Sequence, residues 1–362
     1  MRRAFVYGSL VALVWLGINA CQHEPPRISD VEVSATVFNP AQGETVALSY
    51  TLNRSAQVTV AVRDALDRPV RTLAQGRQEA GRQTVQWDGR DDAGRLAPDE
   101  AYTWAIMAAT GRAQAIYDPA GTGGLPVEIQ DRALDQEDGS IHYRLDQPAR
   151  VRLRLGIRGG ALLRILLDWK PLPPGPHSVA WDGLDKDGLI NLLIHPDIAY
   201  DLSAFALPEN AVITTGNPAS SELPFLDLPE SPSPNPDPPV EAGTELHRHA
   251  LHPRDACREP RFEITFPETV ETTAEGWPVV QGRSPVRIVV DERDRRLVTE
   301  SRFEVILYVD TIFLYEDEDS FTPYTYQWDT GGLNPGPHVI TVNVHAYGDH
   351  IGTRSAVVVV QN

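Results

Sequence analysis

The sequence predicts an all-β protein built of three tandem β-sandwich domains. Three observations support this class. Apolar and polar residues alternate along many short runs, which is the period of a half-buried strand. The 362 residues include 30 Pro and 27 Gly, a composition that opposes long helices and favours turns. One pattern of strands and turns also occurs twice, and repeated strands with regular turns are typical of sandwiches.

Length and composition set the limits of this prediction. A chain of 362 residues suits two or three domains, and a hydrophobic fraction of 41% is enough for packed cores. The chain has 50 Asp and Glu against 32 Lys and Arg, for a formal net charge of −18. Most of such a surface repels phosphate, so we expect no nucleic-acid partner.

The N-terminus has the form of a secretory signal. Arg2 and Arg3 precede an apolar run from 4 to 18, which is short for a membrane span of about 20 residues. The sequence Ile18-Asn19-Ala20-Cys21 resembles the lipobox of bacterial lipoproteins. That resemblance implies cleavage before Cys21 and a covalent lipid on its sulfur. The alternative is an uncleaved single-span anchor.

These features predict residues 1–20 as a lipoprotein signal peptide and 21–30 as a tether. Both interpretations of the N-terminus place the rest of the chain in the cell envelope, held at a membrane. Gln22 follows the cysteine, and in lipoproteins the absence of Asp there implies sorting to the outer membrane. With Cys21 lipidated, Cys257 is the only other cysteine, so no intramolecular disulfide is expected.

The body of the chain contains an internal duplication. Residues 50–62 align with 143–155 at a constant offset of 93. After one inserted residue, the sequence Trp-Asp-Gly at 87–89 aligns with Trp-Asp-Gly at 181–183. We therefore predict two related domains, at 31–111 and 112–216.

Each copy reads as half-buried strands. In the first, Val46, Leu48 and Tyr50 alternate with smaller or polar residues. In the second, Arg150, Arg152 and Arg154 occupy every other position of a strand. A solvated strand face is the expected role of this arginine row, and a ligand-binding stripe is the alternative.

The duplicated pattern resembles the FlgD-like immunoglobulin domain of the flagellar hook-capping protein. The residues that carry this resemblance are Phe38-Asn39-Pro40, Gly43-Glu44, Tyr50-x-Leu52, Trp87-Asp88-Gly89, Gly94 and Ala101-Tyr102-x-Trp104. The match is good over 31–111 and weaker over 112–216. The family is a structural and interaction module without catalytic residues, and we expect none here.

The Trp-Asp-Gly motif has a predicted structural role in both copies. Trp87 and Trp181 end a strand and bury a large aromatic surface. Asp88 and Asp182 can accept a hydrogen bond from the backbone two residues on, and Gly89 and Gly183 can adopt positive φ. The acidic residues that follow are typical of hairpin tips, and a calcium loop is the alternative interpretation.

A proline-rich linker is predicted over 217–259. It has eight prolines between Pro218 and Pro239, and such a segment is expected to be stiff, extended and able to hold domains apart. Its end contains four candidate metal ligands: His247, His249, His252 and Cys257. Imidazole and thiolate suit zinc or copper, so a metal-binding lipoprotein is an alternative function.

Residues 260–362 return to the strand pattern and are predicted to form the third domain. The run Tyr326-Gln-Trp328-Asp329-Thr330 resembles an immunoglobulin-like domain common on bacterial surface proteins and beside carbohydrate-active enzymes. A carbohydrate-binding accessory is therefore a further alternative. It requires Trp277, Trp328 or Tyr324 to be exposed on one face.

No nucleophile elbow, zinc-protease motif or phosphate-binding glycine loop is present in the sequence. The sequence thus favours a membrane-anchored, non-catalytic scaffold that binds an unidentified envelope protein. No cofactor is expected beyond the covalent lipid on Cys21.

Overall fold

The computed structural model describes residues 24–65, 67–218, 259–299, 302–346 and 350–361. Strands account for most of these residues, and the sheets pair into immunoglobulin-like sandwiches. The expected all-β class is confirmed. Within the described ranges, no helix is long and apolar enough to cross a membrane.

The first sandwich contains nine strands. They are β1 (Ile28–Val33), β2 (Val37–Phe38), β3 (Val46–Leu52), β4 (Ala56–Arg63), β5 (Pro69–Gln78), β6 (Gly81–Trp87), β7 (Ala101–Thr110), β8 (Ala113–Tyr117) and β15 (Val212–Thr214). One sheet has the order β1-β3-β6, and the other has the order β2-β15-β7-β4-β5, with β8 also paired to β7.

The alternating residues of β3 and β4 face the interior of this sandwich, as the period-two pattern predicts. Val46, Leu48, Tyr50 and Leu52 are all buried in one hydrophobic core. Trp87 lies at the centre of this core and makes edge-on contacts with three other aromatic rings. Such contacts add to the stability that the buried area provides.

The chain returns to the first sandwich after it has built the second. β15, which the sequence pattern places in the second domain, pairs with β7 and with β2. Its neighbour Asn210 accepts a hydrogen bond from Trp104 Nε1 at its carbonyl oxygen and donates one from its side chain to the Val31 carbonyl. The larger sheet of the first sandwich is therefore completed by a segment more than 90 residues away in sequence.

The second sandwich has six strands: β9 (Gln130–Asp135), β10 (Ser140–Leu145), β11 (Ala149–Ile157), β12 (Leu162–Leu172), β13 (Gly175–Ala180) and β14 (Ile198–Ala206). Its sheets have the orders β13-β10-β9 and β12-β11-β14. The pairings of β10 with β13 and of β11 with β12 reproduce those of β3 with β6 and of β4 with β5.

The third sandwich has nine strands and one helix. They are β16 (Phe262–Thr265), β17 (Glu271–Thr272), β18 (Pro278–Val280), β19 (Arg283–Val290), α1 (Glu292–Thr299), β20 (Phe303–Val309), β21 (Ile312–Asp317), β22 (Tyr324–Asp329), β23 (Gly336–Ala346) and β24 (His350–Val360). The sheets have the orders β16-β19-β22 and β17-β18-β24-β23-β20-β21.

Helix α1 was not expected from the strand pattern. Its Val298 is buried in the third core, and its fully buried Asp294 lies 2.8 Å from Arg261 Nε. A short helix rich in charged residues gives little periodic signal in the sequence, and these two contacts hold it against the sandwich.

The Trp-Asp-Gly corner has the same geometry in both repeats. Trp87 Nε1 donates to the Arg90 carbonyl at 2.9 Å, and Trp181 Nε1 donates to the Leu184 carbonyl at 2.7 Å. Each motif aspartate accepts a hydrogen bond from the backbone two residues on, at 3.1 Å in both copies. Gly89 and Gly183 have φ of +70° and +80°, the left-handed region that favours glycine.

Gly89 also lies too close to its neighbours for a side chain. A Cβ there would stand 2.3 Å from Pro40 Cβ, whereas a Cβ on Gly94, at a similar φ of +78°, would meet nothing within 4 Å. The Phe-Asn-Pro segment at 38–40 and the Trp-Asp-Gly segment at 87–89, which both carry the family resemblance, are thus in direct contact.

We predict that Gly89→Ala destabilises the protein by about 3 kcal/mol, because it adds a steric clash to the backbone strain. The control Gly94→Ala adds the strain alone and should cost about 1 kcal/mol. Urea unfolding followed by tryptophan fluorescence measures both. Equal losses for the two variants would show that contact with Pro40 does not constrain the corner.

Candidate functional site

Two of the predicted sites lie outside the described residues. These are the lipidation site, Cys21, and the metal cluster of His247, His249, His252 and Cys257. Both stay predictions. The six residues of the Trp-Asp-Gly motifs are described, and they form the corners above rather than a binding site.

The acidic hairpin tips are held by an arginine in both repeats. Arg71 Nη1 donates to the Asp91 carbonyl at 2.7 Å. The equivalent Arg164 Nη1 lies 2.9 Å from the Asp185 carbonyl and 3.2 Å from Asp182 Oδ1. Calcium requires six to eight oxygen ligands, whereas the guanidinium of Arg164 already binds three oxygens of the second tip and that of Arg71 binds one oxygen of the first.

The joint between the first two sandwiches contains a buried ion pair. Arg150 Nη1 of β11 lies 2.6 Å from Glu100 Oε1, and each side chain is only 5% exposed. The same Glu100 oxygen accepts a hydrogen bond from the Ala101 backbone at 2.7 Å. The Glu100 backbone N–H donates to Thr214 Oγ1, just before β7 begins. Both charges are therefore paired across the domain boundary, as burial requires.

The arginine row is not the solvated face that was expected. Arg150 and Arg154 are buried, at 4% and 6% exposure. Arg152 lies 2.7 Å from Asp201 and 4.9 Å from the ring centre of Trp169. The expectation was wrong because alternation identifies the outer face of a sheet, but it does not show whether another part of the protein covers that face.

The joint between the second and third sandwiches is a side-chain amide paired with backbone. Asn343 Oδ1 accepts from the Leu162 N–H at 2.9 Å, and Asn343 Nδ2 donates to the Leu162 carbonyl at 2.8 Å. Thr353 Oγ1 donates to the same carbonyl at 2.7 Å. Leu162 is the first residue of β12, so Asn343 binds it much as a neighbouring strand would.

Further contacts extend this joint. Asp187 Oδ2 accepts from the Ser355 N–H at 2.6 Å, and Arg354 Nε forms an ion pair at 2.9 Å with the other oxygen, without hydrogen-bond alignment. Tyr308 of the third domain is buried in the core of the second. Lys186 Nζ lies 2.6 Å from Glu259, where the described chain resumes after the linker.

The third domain therefore packs directly against the second. The expectation that the linker holds them apart was wrong, because linker composition sets the distance that domains can reach and not whether they dock. Thr341, Asn343, Thr353 and Ser355 form a polar but buried row on the outer face of β23 and β24. Sequence reasoning missed this interface, and the asparagine within a valine-rich strand was its only signal.

A second polar cluster lies at the turn between β9 and β10. Ligand atoms of Asp135, Asp138 and His142 lie within 4.8 Å of one another on exposed side chains, a spacing that a divalent cation can bridge. Ser140 Oγ lies within hydrogen-bond distance of Asp138 and of His142 Nε2. Hydrogen bonds from Ser140 lower the pKa of Asp138.

This cluster does not have the order of a catalytic triad. In a triad the histidine stands between the serine and the acid, whereas here the serine stands between the other two. Ser140 is also only 5% exposed. The arrangement fits a hairpin turn rather than a nucleophile.

The carbohydrate-binding alternative keeps one of its three named aromatic side chains at the surface. Trp328 and Tyr324 are buried in the third core, at 1% and 6% exposure, and Trp277 is 36% exposed. Trp328 and Tyr324 are packing residues, because their strand β22 turns them toward the opposite sheet. Of the three side chains named for this alternative, Trp277 is therefore the one that lies at the surface.

Comparison with known proteins identifies one domain by sequence. The family model of the FlgD Ig-like domain matches residues 34–112, in agreement with the resemblance seen over the first repeat. No curated protein gives a significant match.

Similar solved structures include FlgD from P. aeruginosa, which is 22% identical over 33% of this chain and 83% of its own, with a TM-score of 0.22. A tetra-tandem repeat from the extending region of a large adhesion protein is 12% identical, covers 93% of this chain and 74% of its own, and has a TM-score of 0.21. A 1.5-MDa bacterial ice-binding adhesin is 13% identical, covers 93% and 98%, and has a TM-score of 0.18.

We predict that Arg150→Met destabilises the protein by about 3–5 kcal/mol, because it removes the guanidinium that compensates the charge of the buried Glu100 carboxylate. Combining it with Glu100→Gln should restore much of the loss. Denaturant unfolding of the single and double variants measures this coupling.

The matched control is Arg82→Met. Arg82 lies 2.9 Å from Glu32, but these side chains are 58% and 66% exposed, so the loss should stay below about 1 kcal/mol. Similar losses for Arg150→Met and Arg82→Met would contradict a role for the buried pair in joining the domains.

Proposed function

We propose that this protein is a membrane-anchored, non-catalytic scaffold of the cell envelope, in which three sandwiches act as one rigid unit that presents binding surfaces. The observation that carries this proposal is the pair of domain joints. Each joint pairs buried polar groups of one domain with polar groups of its neighbour.

The joints oppose bending in different ways. β15 joins the end of the second repeat to the larger sheet of the first sandwich through backbone pairing. Asn343 and Tyr308 tie the third domain to the second through an amide pair and an apolar contact. Separating either pair of domains would exchange these bonds for bonds to water, at a net cost of about 0.5–1.5 kcal/mol for each neutral hydrogen bond and about 1.5–3 kcal/mol for one that involves a charged group.

The non-catalytic part of the proposal has two supports. The matched FlgD-type domain is an Ig-like module, and its distinctive residues serve the fold. The Asp138, Ser140 and His142 cluster lacks the order that catalysis by a serine requires.

The anchor is proposed from the N-terminal sequence. Lipid on Cys21 would hold the chain at the envelope membrane, with the outer membrane favoured by Gln22. Two or more acyl chains are needed for stable anchoring. The acidic surface of a chain with net charge −18 favours an envelope protein partner that is neutral or basic.

Distances between spin labels test the rigid unit. With Cys257→Ser and Cys21→Ser in place, labels at Ser178 and Thr325, both exposed, report on the second and third domains. We expect one narrow distance distribution, which Asn343→Ala should broaden because the amide pair is lost. The exposed Asn334 offers a matched control, Asn334→Ala. A broad distribution in the parent protein would refute the rigid unit.

Detergent partition tests the anchor. The full-length chain should enter the detergent phase and incorporate labelled palmitate, and Cys21→Ser should abolish both. Cys257→Ser is the matched control and should leave both unchanged. A wild-type chain that stays in the aqueous phase would contradict anchoring without affecting the argument for rigid joints.

A further inference from the structure

The third domain ends its larger sheet on a strand with a free edge. β21 pairs with β20 on one side and has no neighbour on the other among the described strands. It is six residues long, whereas β17 at the opposite edge has two. A free strand edge carries unpaired N–H and C=O groups, which proteins usually protect by shortening, bulging or covering the strand.

Large apolar side chains accompany this edge. Ile312 and Phe313, which open β21, are 72% and 57% exposed. Ile194 of the second domain is 78% exposed, and its neighbour His195 contacts Thr311 at 3.4 Å, directly before β21. Phe313 packs edge-on against Tyr308, which is itself part of the joint between the second and third domains. The exposed patch is therefore continuous with that joint.

The edge is held in place by its turn. Asp310 and Thr311 both have positive φ, of 49° and 69°, which is the geometry of a tight hairpin turn and is strained for threonine. Asp310 accepts hydrogen bonds from the Val339 backbone at 2.9 Å and from His338 at 2.6 Å. A partner would thus meet a preorganised strand, which lowers the cost of binding.

The charges at the other end of β21 select the partner. The strand ends in a run of four acidic residues, Glu316, Asp317, Glu318 and Asp319. The exposed Arg302 lies near this run, with its Nε 3.7 Å from Asp319 Oδ1. In a second copy paired antiparallel along this edge, acidic residues would lie opposite Ile312 and Phe313. In a parallel copy the two acidic runs would lie side by side. Both arrangements are unfavourable.

We propose that the free edge of β21 binds an extended segment of another protein by adding it to the sheet as a strand. The segment is apolar where it meets Ile312 and Phe313 and carries Lys or Arg where it meets residues 316–319. Main-chain hydrogen bonds supply affinity. The apolar contact at one end of β21 and the charge contact at the other fix the orientation of the bound segment and give specificity. This inference rests on the proposed scaffold function and names the partner class for one of its surfaces.

Two synthetic peptides test the proposal. One alternates valine and threonine over five residues and ends in three lysines, and the other ends in three glutamates. The lysine peptide should bind the full chain and protect the backbone amides of 312–317 from hydrogen exchange. The glutamate peptide should bind at least about tenfold more weakly, because like charges then face each other.

Variants locate the site. Phe313→Ser should weaken the lysine peptide about tenfold, because the apolar contact is lost. Phe321→Ser removes a phenylalanine of similar exposure, 66% against 57%, from outside the strand and should leave peptide binding unchanged. Replacing Glu316 and Glu318 by glutamine should weaken binding, whereas the same change at Glu271 and Glu275, both exposed and near the opposite edge, should not.

Three results would overturn the proposal. The first is that the lysine peptide does not protect residues 312–317 from hydrogen exchange. The second is that both peptides bind equally well. The third is that the chain sediments as a dimer that Phe313→Ser dissociates, since a second copy would then occupy the edge. The label distances and the detergent partition do not depend on β21. Failure of the peptide experiments would therefore leave the rigid, anchored scaffold unaffected. Failure of the scaffold proposal would be seen separately, in the label distances or in the detergent partition.

Discussion

A buried polar group must find a partner, and this requirement fixes how the three sandwiches are arranged. Arg150 and Asn343 both lie on outer faces of their sheets, where solvent would normally satisfy them. Each is covered by a neighbouring domain and paired with it, through Glu100 and through the Leu162 backbone. The apolar cores make each sandwich stable, but they do not dictate how one sandwich faces another. Directional bonds at the boundaries do that, since a rotated domain would leave these groups unpaired.

The inner faces of the sandwiches follow from the sequence almost residue by residue. The alternation of Val46, Leu48, Tyr50 and Leu52 predicts a buried face, and the structure buries all four. The Trp-Asp-Gly segments predict a corner, and both copies form it with the same hydrogen bonds. These features are predictable because they depend on neighbours close in sequence or on a fixed period of two. The duplication supports these predictions further, because the same sequence pattern forms the same corner in both copies.

The outer faces could not be predicted in the same way. The arginine row looks solvated in sequence because charged residues usually are, and only the packed structure shows what covers Arg150. β15 joins β7 across more than 90 residues, and three residues give no signal of which sheet they will enter. Helix α1 is similarly hidden, since its core residue Val298 lies within a run of charged residues. A single sequence contains little information about which distant segments pair with each other.

The two repeats differ at the position where Asn343 binds. Leu162 corresponds to Pro69 of the first repeat, the residue that opens β5, and proline has no N–H to donate to an asparagine oxygen. Asp187 likewise corresponds to Ala93, which has no carboxylate for Ser355. The two repeats therefore share a fold, but the contacts with Asn343 and Ser355 are made by the second repeat. If the third domain met the first repeat instead, Asn343 Oδ1 would find no N–H at Pro69 and the Ser355 N–H would find no carboxylate at Ala93, so these two differences direct the third domain to the second repeat.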